Sequence, residues 1–257
     1  MFILRVAHLV LPLLLINFAE AQFGQRQLVS DQHAVATGSD RLLSADMDAD
    51  GDIDLMVRQL AHVLFFENEN GQGSFASADT VFFAAPIHHL AITDMDGDNV
   101  LDMVLIVGPS SDLIWVAGMG NGLFGDPQLI TNFPNGAGAL LCRDVQQDPG
   151  PEVMVTANGQ VYIYAYDMPT EAYALDDSVS YGGGPPTPVL MAGDVDMDGD
   201  VDILAVNWSG FMAVGVNNGT GEAWTTTDMA LTGLMYTDAG MDLVDVDNAG
   251  YLDVVDL

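Results

Sequence analysis

Asp194-Val195-Asp196-Met197-Asp198-Gly199-Asp200-Val201-Asp202 places five carboxylates in nine residues, at positions 1, 3, 5, 7 and 9, with glycine at position 6. Carboxylates held about 4–5 Å apart repel one another by roughly 3–4 kcal/mol per pair at an effective dielectric near 20. A chain that makes them converge therefore needs a cation. Oxygen-only ligands in alternation, with a glycine at the sharp turn, suit a hard ion that takes six to eight oxygens, calcium before magnesium.

The pattern recurs. Asp46, Asp48, Asp50, Gly51 and Asp54 reproduce it, as do Asp94, Asp96, Asp98 and Asp102, with Asn99 at the glycine position. Asp245, Asp247, Gly250 and Asp253 match, with Ala249 in place of the position-5 carboxylate. One copy is degraded: Asp144, Asp148 and Glu152 remain, while Gln146 stands at position 3 and Pro149 at position 6. The starts at 46, 94, 144, 194 and 245 lie 48, 50, 50 and 51 residues apart. A fixed period of this size marks a repeat architecture.

Each loop lies between apolar runs. Residues 41–45, 89–93, 139–143, 189–193 and 240–244 precede the loops, and 53–58, 101–107, 152–157, 201–208 and 251–257 follow them. A third run comes at 62–67, 113–117, 161–166 and 211–216, and a fourth at 80–84, 128–132, 178–181 and 225–230. The runs are short, rich in β-branched and aromatic residues, and bounded by Gly, Asn, Asp and Pro, so they read as strands. No window carries a helical period with caps. Four short strands per repeat make one antiparallel blade, and blades repeated radially make a β-propeller of typically 4–8 blades. The expected fold is all-β, a propeller of four-stranded antiparallel blades over residues 41–257, with about four and a half blades present.

The unit Asp-x-Asp-x-Asp-Gly-x-x-Asp followed by an apolar strand resembles the FG-GAP/VCBS repeats, including those of the integrin α-subunit propeller. The stretch Gly120-Asn121-Gly122-Leu123-Phe124-Gly125-Asp126-Pro127 is similar to the Phe-Gly…Pro segment that names the family, with weaker echoes at 71–75 and 217–221. The resemblance spans residues 40–257. It implies recognition of a ligand on one rim and a propeller of about seven blades. The last strand-like run reaches Asp256-Leu257, so the resemblance further implies a fragment of a larger propeller, or a chain that needs more blades to close.

Side chains at positions 1, 3, 5 and 9, with a backbone carbonyl at 7, can wrap one ion. This assigns Asp46, Asp48, Asp50 and Asp54 to one calcium, Asp94, Asp96, Asp98 and Asp102 to a second, and Asp194, Asp196, Asp198 and Asp202 to a third. Asp245, Asp247 and Asp253 form a reduced set, and the 144 loop is expected to keep its turn without an ion. An EF-hand needs a bidentate Glu at position 12, where this chain has Val57, Leu105 and Ala205 between strands. A dockerin-like loop wants a polar residue there and a following helix, and fails likewise. The calcium reads as structural, because each loop joins a first strand to a second and an ion there fixes a hairpin's register. Since ligands converge only in the folded chain, ion binding becomes folding stability.

Composition narrows the partners. The chain has 257 residues, 49% apolar, and a formal net charge of −32 with five Lys and Arg together, all of them Arg. Such acidity repels nucleic acid and anionic membrane, so neither is an expected partner. The single cysteine, Cys142, rules out an internal disulfide and reads as a buried structural thiol in the run 139–142. Arg5, the apolar run 6–16 and Ala19-Glu20-Ala21 have the order of a secretory signal, cut after Ala21. Pro12 and the shortness of the run argue against a membrane-spanning helix. Residues 1–21 are thus expected to be a signal peptide, and 22–40 a linker or a strand that closes a sheet elsewhere.

Weaker candidates read as structure. His88 and His89 are neighbours on a strand and point to opposite faces. Trp115, Trp208 and Trp224 suit blade packing, and Asn207-Trp208-Ser209 and Asn218-Gly219-Thr220 match glycosylation acceptors. The function expected is a secreted calcium-binding propeller that serves as a binding, adhesion or scaffold module for an extracellular protein or glycan, and not an enzyme. The alternative is the propeller part of an enzyme acting on extracellular polysaccharide, which the scarcity of cationic groups disfavours. A plain spacer is the third reading.

Overall fold

The computed structural model describes residues 41–147, 150–167, 169–181, 189–207, 211–221, 223–230, 241–247 and 249–256. The expected signal peptide and the 22–40 stretch lie outside these residues, as do Asp148, Pro149, Trp208 and Ser209.

Among the described residues every regular element is a strand. β1 (Arg41–Ala45), β2 (Asp54–Arg58), β3 (His62–Phe66) and β4 (Asp79–Phe83) form an antiparallel sheet in chain order. The second sheet takes β5 (Ile87–Thr93), β6 (Asp102–Val107), β7 (Asp112–Val116) and β10 (Gln128–Asn132). A small hairpin, β8 (Gly118–Gly120) with β9 (Leu123–Phe124), interrupts it. The third sheet is β11 (Leu140–Arg143), β12 (Glu152–Ala157), β13 (Gln160–Asp167) and β14 (Ala172–Ser180). The fourth is β15 (Val189–Gly193), β16 (Asp202–Val206), β17 (Phe211–Asn217) and β18 (Trp224–Ala230). β19 (Met241–Val244) and β20 (Asp253–Asp256) pair as the start of another.

One register governs all five copies. The residue before each acidic loop pairs with the loop's ninth residue: Ala45 with Asp54, Thr93 with Asp102, Arg143 with Glu152, Gly193 with Asp202 and Val244 with Asp253. The loop is therefore the closed end of a first-to-second-strand hairpin, and position 9 opens the second strand.

Beyond the acid that opens each of them, the second strands β6, β12 and β16 are almost wholly apolar because both their faces are covered. Every residue of β6, β12 and β16 is buried. Side chains alternate across a strand, so Met103 and Leu105 pack with Met56, Val63 and Phe65 of the first sheet. Val104 and Ile106 face the other way, onto Val153, Val155 and Tyr164 of the third. Met154 and Ile163 then meet Ile203 and Ala205 of the fourth sheet, while Leu204 and Val206 pack towards Leu243 and Val254. First strands neighbour first strands across the sheets: β5 lies against β11, β11 against β15, and β15 against β19.

Two details depart from the sequence expectation. β14 runs nine residues and pairs with β13 along its length, with a bulge at Ile163 and Tyr164. The β8–β9 hairpin falls inside the Phe-Gly stretch and leans on the first sheet. Gly122 there has φ +67°, and a Cβ on it would sit 2.6 Å from the Phe65 ring. Only glycine permits that approach.

Candidate metal centres

The loops curl by two left-handed residues. Ala49, Gly97, Gln147 and Met197 at position 4 have φ of 64°, 78°, 59° and 68°. Gly51, Asn99, Gly199 and Gly250 at position 6 have φ of 94°, 67°, 97° and 92°. For a side-chain-bearing residue this conformation costs roughly 1 kcal/mol, so the curl must be held by something.

Part of that hold comes from carboxylates accepting backbone N–H groups. Position 1 accepts from position 6: Gly51 to Asp46 at 3.0 Å, Asn99 to Asp94 at 2.9 Å, Gly199 to Asp194 at 3.0 Å and Gly250 to Asp245 at 2.8 Å. Position 3 accepts from position 5, at 3.2 Å for Asp48, Asp96 and Asp196 and at 2.9 Å for Asp247. Asp50, Asp98 and Asp198 at position 5 accept from position 7 at 2.8, 2.7 and 3.0 Å.

Position 9 reaches further. Asp54, Asp102 and Asp202 are at most 1% exposed. One oxygen of each accepts the N–H of position 2, from Met47 at 2.9 Å, Met95 at 2.8 Å and Val195 at 2.8 Å. The other oxygen accepts from a backbone N–H at or two residues past the far end of the third strand: Asn68 to Asp54 at 2.8 Å, Gly118 to Asp102 at 2.6 Å, Asn217 to Asp202 at 2.8 Å. Charge-assisted bonds of this kind offset the burial of a carboxylate. The degraded copy keeps the arrangement, with Glu152 accepting from Val145 at 2.7 Å. Asp253 accepts from Val246 at 3.1 Å.

Four triads of carboxylates converge. Oxygens of Asp46, Asp48 and Asp50 lie within 4.8 Å of one another, as do those of Asp94, Asp96 and Asp102, of Asp194, Asp196 and Asp202, and of Asp245, Asp247 and Asp253. Asp54, Asp98 and Asp198, also assigned as ligands from the sequence, stand outside these triads. The donor set fits a hard cation, being carboxylate oxygen alone. Asp46 Oδ1 is fully buried with no hydrogen-bond partner, an orphaned acceptor of the sort a cation satisfies.

Electrostatics points the same way. Burial raises the carboxyl pKa of Asp48, and the charges of Asp54, Asp50 and Asp46 raise it further. Asp96 and Asp196 are raised by burial and then by the neighbouring Asp98 and Asp198. Asp102 is pushed up to about 6 by burial, against the lowering effect of its bonds from Gly118 and Met95. Glu67, just beyond β3, is raised by desolvation and by the charge of Asp48. A cation at these points would invert each of those shifts.

Position 2 was not legible as part of the site. Its side chain is apolar in every copy: Met47, Met95, Val145, Val195 and Val246. Met47, Met95 and Val145 are buried in the cores between sheets. The carbonyl of Met95 accepts from the Tyr173 hydroxyl of the third sheet at 2.6 Å, and that of Val145 accepts from Asn217 Nδ2 of the fourth at 2.8 Å. An apolar residue fixed amid alternating acids was the available signal. Asn217 Oδ1 in turn accepts from Gly219 at 3.1 Å and Gly221 at 2.8 Å, and Asn68 Oδ1 accepts from Gly73 at 3.0 Å, which explains the Gly/Asn-rich echoes.

The weaker candidates take structural places. Trp115 is buried, with ring contacts to Tyr166 and Tyr173 at 5.7 and 5.8 Å. His88 Nε2 lies 3.0 Å from the Gly108 carbonyl. Cys142 is half-buried on β11 rather than fully enclosed.

No curated protein sequence matches the chain. Among solved structures, an Agrocybe aegerita lectin, described by its specific recognition of non-reducing terminal N-acetylglucosamine, is similar with a TM-score of 0.56 and 20% identity over 76% of this chain and 53% of that one. The Photorhabdus luminescens Tc holotoxin pore is similar with a TM-score of 0.50 and 15% identity over 90% of this chain and 11% of that one. At such identities the likeness is one of fold, and the chain spans about half the length of the lectin chain. Residues 46–105, from the first acidic loop through the second and into β6, match the family of the FG-GAP-like repeat. Sequence match, loop chemistry and sheet order agree over this stretch: residues 46–105 carry the FG-GAP-like repeat.

Proposed function

We propose that the protein is a secreted, calcium-stabilised β-propeller that acts as a binding or scaffold module outside the cell. The observation that carries this reading is the in-phase gathering of four carboxylate triads, each at the closed end of a first-to-second-strand hairpin. Asp46, Asp48 and Asp50, then Asp94, Asp96 and Asp102, then Asp194, Asp196 and Asp202, and finally Asp245, Asp247 and Asp253 would hold the ions. Bound calcium supplies the positive charge that relieves their repulsion. The protein's own part is positional: position 1 fixes the loop's curl, and position 9 ties it to the second and third strands.

Sheets that bury both faces of their second strands are suited to radial stacking as blades, which leaves the loops of one rim free for recognition. An extracellular protein or glycan is the ligand class we favour. A formal charge of −32 disfavours nucleic acid, and the absence of Lys leaves few cationic groups for catalysis, so binding is preferred to enzymatic action. The signal-like residues 1–21 support secretion. Among the described residues no helix is long and apolar enough to cross a membrane.

Thermal unfolding of residues 22–257 in calcium and in chelator, with a calorimetric ion count, tests the reading. A large calcium-dependent rise in Tm is expected, with one ion for each of the four triads and the 245 loop weakest. An unchanged Tm with no bound ion would overturn it.

A further inference from the structure

The 144 loop has lost its position-3 carboxylate to Gln146 and carries Pro149 at position 6, yet its described residues keep the curl of the other loops. Gln147 holds the left-handed position 4 with φ 59°, its N–H donates to Asp144 Oδ1 at 2.7 Å, and Glu152 retains the bond from Val145. Where the other loops converge carboxylates, this one presents two amides that reach out of it. Gln146 Nε2 donates to Asp176 Oδ2 on β14 at 2.5 Å. Gln147 Nε2 donates to Asp200 Oδ1 at 2.8 Å, across 53 residues of chain, from the third sheet to the fourth.

The same loop is docked on the fourth sheet by two further contacts. The Val145 carbonyl accepts from the buried Asn217 Nδ2 at 2.8 Å. A Cβ on Gly221 would stand 2.4 Å from Gln146 Cγ and 3.2 Å from the Val145 carbonyl oxygen, so the fit requires glycine there. Asp200 is position 7 of the 194 loop and receives Gln147 at its side chain, while its own N–H donates to Asp198 at 3.0 Å.

We infer that the 144 loop is a metal-free docking element that positions the neighbouring 194 loop for its ion, with Gln147 as the positioning residue. An amide suits the task. It holds Asp200 by a donated hydrogen bond and adds no charge, whereas a carboxylate at 147 would repel Asp200 and a cation would compete with the bound ion. The inference rests on the calcium reading above, and deepens it by making one site depend on a neighbour that binds nothing.

Residue-resolved NMR titration with calcium distinguishes the two claims, following the amides of Gly51 and Gly199 in their separate loops. In Gln147→Ala the calcium concentration at half-titration of Gly199 is expected to rise about two- to fivefold, the range of an exposed charged hydrogen bond, with Gly51 unchanged. Gln147→Glu should raise it further. Combining Gln147→Glu with Asp200→Asn keeps both side-chain lengths and reverses donor and acceptor, so the Gly199 midpoint should return towards that of the parent. An unmoved Gly199 midpoint in both single variants overturns the inference. So does an equal shift of Gly51 and Gly199, or a double variant that fails to recover. If calcium moves neither amide in the parent chain, it is the calcium reading that falls, and this inference with it.

Discussion

Asp102 concentrates the chemistry of these loops in one side chain. Burial pushes its carboxyl from an ordinary 3.8 up to about 6, despite the bonds it accepts from Met95 and Gly118, and the charge of Asp96 adds to the rise. A carboxyl whose pKa is raised on folding stabilises the fold while protonated. That contribution is full below about pH 4 and is lost as pH rises through 6. Calcium needs the ionised form, so protons and calcium compete at this residue. In chelator the chain is expected to gain stability from pH 7 to pH 5, and in calcium the ion's added stability should shrink over the same range. Thermal unfolding at the two pH values under both conditions checks this, with Asp102→Asn expected to flatten the chelator profile. A chelator profile that Asp102→Asn leaves unchanged would assign the dependence elsewhere. The alternating carboxylates were legible in sequence because their type and spacing are the signal. The second role of position 9 was not, since its partners Asn68, Gly118 and Asn217 lie 14 to 16 residues further along the chain and donate through the backbone, which leaves no side-chain signature.

The hairpin with its loop is the unit in which these residues act, and it separates ligands from staples. Asp196 lies among like charges, close to Asp198 and Asp202, with one backbone bond at 3.2 Å. Asp196→Ala should therefore lower stability in calcium and leave it little changed, or slightly raised, in chelator. Asp202→Ala leaves the N–H groups of Val195 and Asn217 without their acceptor, a loss of about 2–4 kcal/mol already present in chelator, and because Asp202 also belongs to the 194 triad, calcium widens the loss. Chemical denaturation in both conditions distinguishes them, and equal losses for Asp196→Ala would count against its role as ligand. Strand positions at this scale were largely readable: residues 41–45, 128–132, 152–157 and 189–193 are strands with the expected limits. The β8–β9 hairpin was missed because Gly118–Gly120 carries no strand propensity, and its place is set by Gly122 against Phe65. The extent of β14 was missed because Ala172 to Asp177 is largely exposed and lacks β-branched residues, held as it is by its pairing with β13.

Between sheets, the period of the loops was plain in the sequence, whereas the assignment of each buried residue to a partner sheet was not. Met103 and Val104 are both apolar and both fully buried, yet they serve opposite interfaces. The same division recurs at Met154, which faces the fourth sheet, and at Val153 and Val155, which face the second. A sheet whose second strand is buried on two sides has little stability of its own, so the interfaces must carry the fold. Met154→Ala is expected to cost about 2–5 kcal/mol through the cavity it leaves. If the interfaces dominate, that loss is shared by the whole array. The amides of Gly51 on the first sheet and Gly199 on the fourth should then disappear at one denaturant concentration, lowered equally by the substitution. Local dominance predicts otherwise: Gly199 would melt early while Gly51 kept its midpoint. Coincident loss is the outcome this packing demands, because β12 weakened on its fourth-sheet face at Met154 is the same strand that supports β6 through Val153 and Val155 on its other face, and β6 in turn packs on the first sheet.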